Sequence, residues 1–242
     1  MNALFNQKRS ENTFGIILSI GTNAHQISEI KHLVGKHGNL NQTIIIHAKS
    51  SSNILQYISP YVAMAHAENL AKDGKDVILV IDDLTKHAKT IREIAFNTGK
   101  PIGKGGYPGD LFFKHSSLLE RSTNYKNAGS ITTLPIVETK SEDLRDVVVS
   151  GLISITDGQI VLNNDLAQKK EFPAVDLGLS VSRLGGAVQN KEMRKTSNFL
   201  KDIYYRYVDI EQFASTLSVF DKNVNILKNQ GEFIKKIIRR SG

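Results

Sequence analysis

The sequence predicts an α/β fold built on a mostly parallel sheet, and three short apolar runs carry that prediction. Phe14–Ile20, Thr43–Ala48 and Val77–Ile81 are continuous and rich in β-branched residues, as strands covered by helices on both faces are. Segments with helical spacing of apolar residues separate these runs. This alternation is typical of a doubly wound sheet with right-handed crossovers.

The helices of this first part follow from apolar periodicity and from helix-stop residues. The pattern predicts helices over His25–His37, Ser52–Lys72 and Thr85–Asn97, the second of which ends before Gly74, a residue that commonly follows a helix. The chain between Gly103 and Gly109 is rich in glycine and predicts a loop.

Beyond that loop, Asp110 predicts the N-cap of a helix that runs to Arg121, and Ile131–Val137 predicts a further strand. Leu152–Thr156 and Gln159–Leu162 flank Asp157-Gly158, a pair typical of a β-hairpin turn. From residue 191 the pattern is wholly helical. It predicts one domain over residues 1–190 and the start of a helical domain over 191–242, with helices at Met193–Asp209, Ile210–Leu217 and Asp221–Ile238.

Composition narrows the class of protein. The chain has 242 residues, no cysteine and a formal net charge of +7, so disulfides and thiolate metal sites are excluded. The positive charge is scattered and does not alternate with aromatic residues, so we expect no nucleic-acid partner. The dense basic cluster Lys235–Arg240 is interpreted as a solvated tail. We find neither a membrane-length apolar run nor a signal segment.

An acidic pair follows the third apolar run. Asp82 and Asp83 lie where Val77–Ile81 ends, and in open parallel sheets ligands bind at the carboxyl edge of the strands. A carboxylate there can hold the water shell of Mg²⁺ beside a nucleotide. Asp83 has an alternative interpretation as the N-cap of the next helix. The sequence holds no G-x-x-x-x-G-K-[ST] phosphate loop.

Arg183 lies in the segment SVSRLGG, between small residues and just after the strand-like run Ala174–Leu179. Small neighbours allow close approach to another surface, and the planar guanidinium suits phosphate oxygens. The alternative is an ordinary surface arginine in a glycine-rich turn.

Four motifs together resemble the alpha subunit of the F-type ATP synthase catalytic head. They are VILVIDDLTK (77–86), YPGDLFFKHSSLLERS (107–122), SITDGQIVL (154–162) and SVSRLGG (180–186), and the resemblance runs from Asn2 to about Lys236. It implies a RecA-like P-loop NTPase core that binds ATP or ADP with Mg²⁺. It also implies that Arg183, flanked by Ser182, is an arginine finger for the ATP site of a neighbouring beta subunit. Asp82 then lies on the metal side, acting through water, and Pro173 borders the adenine.

The same resemblance implies an assembly. Alpha and beta subunits alternate in a hexamer around a central shaft, beta makes or hydrolyses ATP, and alpha is non-catalytic. The whole complex translocates protons, so we expect a peripheral subunit at the cytoplasmic or mitochondrial-matrix face of a membrane.

The chain departs from the family's pattern around its own nucleotide pocket. Thr22 stands where alpha subunits carry glutamine and beta subunits carry the catalytic glutamate. Phe172 replaces an arginine, Lys104-Gly105-Gly106 replace an acidic loop, and Arg239-Arg240 stand where glutamines are expected. The family's phosphate loop and N-terminal barrel would precede residue 1. We therefore expect a fragment or split subunit that binds Mg-ATP weakly, is poorly behaved alone, and has a separate chain supplying that half.

Three other functions fit parts of this pattern. The chain could be a subunit of a divergent rotary ATPase that is not coupled to ion translocation. It could also be a pseudo-subunit that acts as a scaffold without binding nucleotide. A Rho-type RNA helicase would need an OB-fold and RNA-contacting loops, which the sequence lacks. The seven histidines form no metal-binding pattern and are interpreted as structural or surface residues.

Overall fold

The computed structural model describes residues 12–37, 40–139, 143–213 and 222–238. The chain forms two compact units, Met1–Ile155 and Thr156–Gly242. The first contains the strands β1 (Thr13–Thr22), β2 (Thr43–Lys49), β3 (Asp76–Asp82) and β4 (Ile131–Pro135), with the helices α1 (Ala24–His37), α2 (Asn53–Lys72), α3 (Leu84–Asn97), α4 (Leu111–Leu119) and α5 (Val147–Ile155). The second contains β5 (Gly158–Leu162), α6 (Asn164–Gln168), β6 (Val175–Ser182), α7 (Lys191–Phe213) and α8 (Lys222–Ile238).

The sheet of the first unit is parallel throughout, in the order β2-β1-β3-β4. The three apolar runs predicted as strands are its first three strands, so that prediction is confirmed. The parallel register brings Ser19, three residues before the end of β1, opposite Asp82 at the end of β3. The carboxyl ends of both strands therefore share one edge of the sheet.

Both faces of the central strand β1 are buried. Ile16, Leu18 and Ile20 pack with residues of α2 and α3, whereas Ile17 on the opposite face packs with Val34 of α1. Successive strand side chains point to opposite faces, so helices cover the sheet from both sides. This is the doubly wound arrangement that the continuous apolar runs predict.

Two helix starts show how side chains fix the elements. Ser52 caps α2, its hydroxyl accepting from the Leu55 amide at 3.3 Å. Asp110 occupies the N-cap position of α4 but makes no side-chain cap bond; its carboxylate instead accepts from Lys114. The ammonium group contacts Oδ2, whereas Oδ1 has no hydrogen-bond partner among the described residues. The predicted helix to Arg121 was too long, since α4 ends at Leu119.

The predicted β-hairpin at Asp157-Gly158 is wrong. Residues Val147–Ile155 form a helix whose buried Val148, Val149 and Leu152 lie at helical spacing, and the Asp146 carboxylate accepts from the Val148 amide at 2.8 Å. Capping and burial of one face outweigh the β preference of the branched residues. The partner of β5 is instead β6, which pairs with it antiparallel. The predicted strand Ile131–Val137 is also shorter, ending at Pro135.

The second unit adds a long helix pair to this two-stranded sheet. Ile203 and Tyr204 of α7 and Ile234 of α8 form a small core that Leu177 of β6 joins. Gly231 lies against the Tyr207 ring, where a Cβ would stand only 2.1 Å from the ring Cγ. The helical character beyond residue 191 is confirmed, whereas a domain boundary at 190/191 stays a prediction. Most of the predicted helix Ile210–Leu217 lies outside the described residues.

The helical spacing of Tyr204, Tyr205 and Tyr207 predicts packing roles. Tyr204 and Tyr207 are buried, in agreement with that role, whereas Tyr205 is 41% exposed. Along the described parts of the chain, no helix has the length and apolar character needed to cross a membrane.

Candidate functional site

Asp82 is the last residue of β3 and lies at the carboxyl edge of the sheet, half-buried. Burial raises the pKa of its carboxyl group, and the neighbouring Asp83 carboxylate raises it further, while Lys86 acts in the opposite direction. A carboxylate that is partly desolvated and lies beside another negative charge is stabilised in its ionised form by a nearby cation.

Asp83 is the N-cap of α3, as its alternative interpretation predicts. Its Oδ1 accepts from the Lys86 amide at 2.7 Å, and its Oδ2 lies 3.3 Å from the Lys86 ammonium. The side chain is 1% exposed. The two adjacent carboxylates therefore differ in role: Asp83 holds the helix, and Asp82 is the one left at the edge of the sheet.

Thr22 ends β1 at the same edge. Its hydroxyl is bonded to the Ser19 hydroxyl at 3.0 Å, and its carbonyl oxygen lies 3.0 Å from Nε2 of His47. A threonine hydroxyl cannot take a proton from water at neutral pH, so Thr22 offers no general base. Gly21 before it has φ +62, and a Cβ there would lie 3.0 Å from Oε1 of Gln56. Gln56 is part of this edge, and no sequence motif indicated it.

Arg183 follows β6 at the surface, and main-chain carbonyls hold it at two points. Its backbone amide donates to the Asp157 oxygen at 2.8 Å, and its guanidinium Nη1 donates to the Thr156 oxygen at 3.1 Å. An otherwise mobile side chain is therefore tied to the segment that precedes β5. The sequence singled out both motifs but did not indicate that one positions the other.

Ser182 and Gly158 shape the backbone on either side of Arg183. The Ser182 hydroxyl accepts from the Gly185 amide at 2.9 Å, which fixes the turn after the arginine. A Cβ on Gly158 would lie 2.2 Å from the Val181 oxygen, so β5 and β6 can approach this closely only at a glycine. Gly158 is a positioning residue that was interpreted from sequence as a turn residue.

Pro173 is exposed in the loop before β6, and its carbonyl accepts from the Val175 amide at 2.8 Å. Pro173, Ser182 and Arg183 belong to the second unit and Asp82 to the first. Of the departures from the family pattern, Lys104–Gly106 form a single 3₁₀ turn. Arg239 and Arg240 lie outside the described residues.

The residues at the edge of the sheet fit Mg²⁺ better than a metal held by protein alone. Across the described ranges, no group of three or more His, Cys, Asp or Glu side chains could hold a metal ion. Mg²⁺ typically keeps several waters and takes one or two carboxylates plus substrate phosphates. The half-buried carboxylate of Asp82 matches that requirement.

A parallel sheet covered on both faces, with an acidic side chain at its carboxyl edge, is typical of α/β domains that bind a ligand such as a nucleotide at that edge. The chain belongs to the ATP synthase alpha/beta family, whose nucleotide-binding domain matches residues 1–182. The resemblance and the RecA-like α/β fold predicted from sequence are therefore confirmed.

Its curated relatives carry the name of the alpha subunit. The chain is 42% identical over 241 residues to ATP synthase subunit alpha 2 of Mycoplasmopsis pulmonis, covering 99% of this chain and 47% of that protein. It is 39% identical to ATP synthase subunit alpha of Mycoplasma capricolum (99% and 46%) and 37% identical to subunit alpha 1 of Dinoroseobacter shibae (100% and 48%). The chain thus spans about half the length of the curated relatives it matches.

Proposed function

We propose that this chain acts as a non-catalytic alpha-type subunit, or part of one, in a rotary F-type ATP synthase or ATPase. In this role Arg183 reaches the ATP site of a neighbouring beta-type subunit. The observation that carries the proposal is the double anchorage of Arg183 at the protein surface, through its amide to Asp157 and through its guanidinium to Thr156.

This anchorage suits electrostatic catalysis in a partner's site. A fixed guanidinium placed where charge develops on a transferring phosphoryl group stabilises the transition state without reorganising. Arginines in this role contribute on the order of 10³–10⁵ in rate in comparable NTPases. The small residues around Arg183, such as Ser182 and Gly185, allow the neighbouring surface to approach.

Asp82 supports a nucleotide role for the chain's own edge of the sheet. Mg²⁺, when bound with ATP or ADP, neutralises phosphate charge, and Asp82 would accept hydrogen bonds from its water shell. The raised pKa of Asp82 would fall when the cation is present, so metal binding relieves an unfavourable charge. Pro173 would border the adenine ring, as the family resemblance implies.

The wider assembly follows from the same proposal. Beta-type subunits alternate with this one around a central shaft, and the complex lies peripherally on the cytoplasmic or mitochondrial-matrix face of a membrane across which it moves protons. A rotary ATPase without ion coupling would use Arg183 in the same way.

A nucleotide-free scaffolding subunit is the second candidate. The observation that supports it is the hydrogen bond between the Thr22 and Ser19 hydroxyls. These hydroxyls lie at the edge where a nucleotide would bind, and they already satisfy each other within the chain. Calorimetry with millimolar Mg-ATP, which suits the weak binding expected, separates the two: heat that is lost in Asp82→Asn supports nucleotide binding, and no heat with the native chain supports scaffolding.

The test of the main proposal is ATP turnover by the chain reconstituted with its cognate beta-type subunit. Arg183→Ala should lower turnover by about three orders of magnitude or more while beta's affinity for nucleotide stays nearly unchanged. Arg183→Lys should recover little, because an ammonium cannot reproduce the planar fork. Arg194→Ala, at another exposed arginine, is the matched control. Native turnover in Arg183→Ala would refute the proposal.

A further inference from the structure

The first unit holds a cavity of about 200 Å³ that the nucleotide role does not use. The loop 103–109, helix α4 and helix α5 line it, and it is partly open to solvent. Its walls are mainly apolar, formed by Leu111, Phe112, Val147, Val148 and Ile155, and the His115 ring also lines it. Apolar walls with few polar groups are typical of small-molecule sites.

The loop over this cavity is fixed in place. The Gly103 amide donates to the Tyr107 oxygen at 2.8 Å, and the Tyr107 ring stacks on the Arg92 guanidinium with 5.3 Å between the guanidinium carbon and the ring centre. Gly105 approaches Val147 so closely that a Cβ would lie 3.0 Å from its Cγ2. The cavity is therefore preformed, and a ligand would not bear the cost of ordering its walls.

A chain of hydrogen bonds fixes the proton positions on His115. The Tyr57 carbonyl can only accept, so Nε2 of His87, 3.0 Å away, carries a proton. Burial holds the pKa of His87 at about 4 and that of His115 at about 3, so both rings are neutral at pH 7. Nδ1 of His87 is then an acceptor, and Nε2 of His115, at 3.3 Å, donates to it.

The remaining nitrogen of His115, Nδ1, is therefore an unprotonated acceptor. Among the described residues its ring bonds only to His87, through the other nitrogen. His115 is buried, with 2% of the residue exposed, but its ring lines the cavity. An acceptor without a protein partner on a cavity wall is complementary to a donor on a ligand.

We propose that this cavity binds a small neutral molecule with an apolar body and one hydrogen-bond donor, which donates to Nδ1 of His115. A 150 Å³ apolar cavity accommodates benzene, so 200 Å³ suits a single substituted ring. Lys104 also lines the cavity, but the other walls are mainly apolar, so a charged ligand would lose most of its hydration there and a neutral one fits better. Such a ligand would stabilise the packing of the loop and α5 on α4.

The test compares phenol with anisole on the native chain of 242 residues. The two rings are similar in shape, but only phenol has a donor. Titrations followed by NMR should show phenol binding about tenfold more tightly, with contacts to the Val147 and Val148 methyl groups. Equal affinity, no binding, or contacts elsewhere would each overturn the proposal. Because this arm needs no variant, misfolding cannot obscure it.

Two variants refine the result. Gly151→Val should abolish binding of both probes, because Gly151 faces the Phe112 ring at the cavity, with a Cβ position 3.6 Å from its Cδ2. His115→Phe keeps an aromatic wall but removes the acceptor, so the two probes should bind alike. A phenol preference that survives in folded His115→Phe would assign the acceptor to another group and overturn the proposal.

Discussion

Gly158 is the residue on which the position of Arg183 most depends. In Gly158→Ala the new Cβ would meet the Val181 carbonyl oxygen, 2.2 Å away in the native backbone, so β5 must move away from β6. That movement carries Asp157 and Thr156, the two anchors of Arg183, with it. We expect ATP turnover in the reconstituted complex to fall at least tenfold, since small misplacements of catalytic groups are costly.

Gly186→Ala is the matched control for this prediction. Gly186 is close to Arg183 in the chain, but a Cβ there would have nothing within 4 Å, so turnover should stay near native. Native turnover in Gly158→Ala, with circular dichroism showing a native fold, would mean that Arg183 does not need its anchors.

Asp83 tests how one residue fixes a helix. In Asp83→Ala the Lys86 amide loses its acceptor, and we expect the free energy of unfolding to fall by about 1–2 kcal/mol, the usual cost of losing an N-cap. Asp83→Asn keeps a side-chain oxygen for that amide and should lose less. Urea unfolding measures both, and equal losses would show that charge, and not capping, is what Asp83 supplies.

At the scale of whole elements, the sheet of the first unit was predictable because each strand is a continuous apolar run. Ile16 and Ile17 face opposite layers, so both had to be apolar, and that pattern is visible in the sequence. The α5 helix was not predictable from local preference. Its valines and isoleucines favour strands, and the deciding factors are the Asp146 cap and burial against distant residues.

The candidate site divides in the same way. Asp82 and Arg183 could be proposed from the sequence because each follows a strand-like run within a distinctive motif. Their environments could not be predicted, because Gln56 beside Gly21 and Thr156 beside Arg183 are brought there by contacts 27 to 35 residues apart in sequence. No periodicity within a single segment encodes such contacts.

For the molecule as a whole, the buried histidine pair predicts acid sensitivity. Tyr57, Tyr61 and Lys114 surround the pair, and burial lowers the pKa of His87 to about 4 and that of His115 to about 3. Below about pH 6.5 the two histidines take up protons in the unfolded chain but stay neutral in the folded chain. The pair therefore leaves the free energy of unfolding undiminished above pH 6.5. As the pH falls toward 4, that free energy decreases by up to about 1.4 kcal/mol per pH unit for each histidine.

Urea unfolding at several values between pH 7 and pH 4.5 measures this slope. His115→Gln removes one of the two titrating groups, so its stability should depend less steeply on pH. His66→Gln, at an exposed histidine, should keep the native slope. An unchanged slope in His115→Gln would show that the pair does not control acid stability.

The exposed apolar residues of the second unit predict how the isolated chain behaves. Ile160 and Leu162 are 71% and 69% exposed on one face of β5, with half-buried Val161 between them. Exposed apolar residues of this kind favour association. The double variant Ile160→Ser, Leu162→Ser should reduce aggregation in light scattering without lowering the melting temperature. Val161→Ser, at the half-buried residue, should lower the melting temperature. Unchanged aggregation in the double variant would show that another surface causes the association.

The grip on Arg183 has an evolutionary consequence, because both of its anchors are main-chain oxygens. A carbonyl group is present whatever side chain a residue carries, so mutations at Thr156 or Asp157 can change the side chain and leave the acceptor in place. A change in backbone path, such as one at Gly158, would break these two bonds. The sequence around the chain's own nucleotide pocket can therefore change widely while Arg183 keeps its position at the surface.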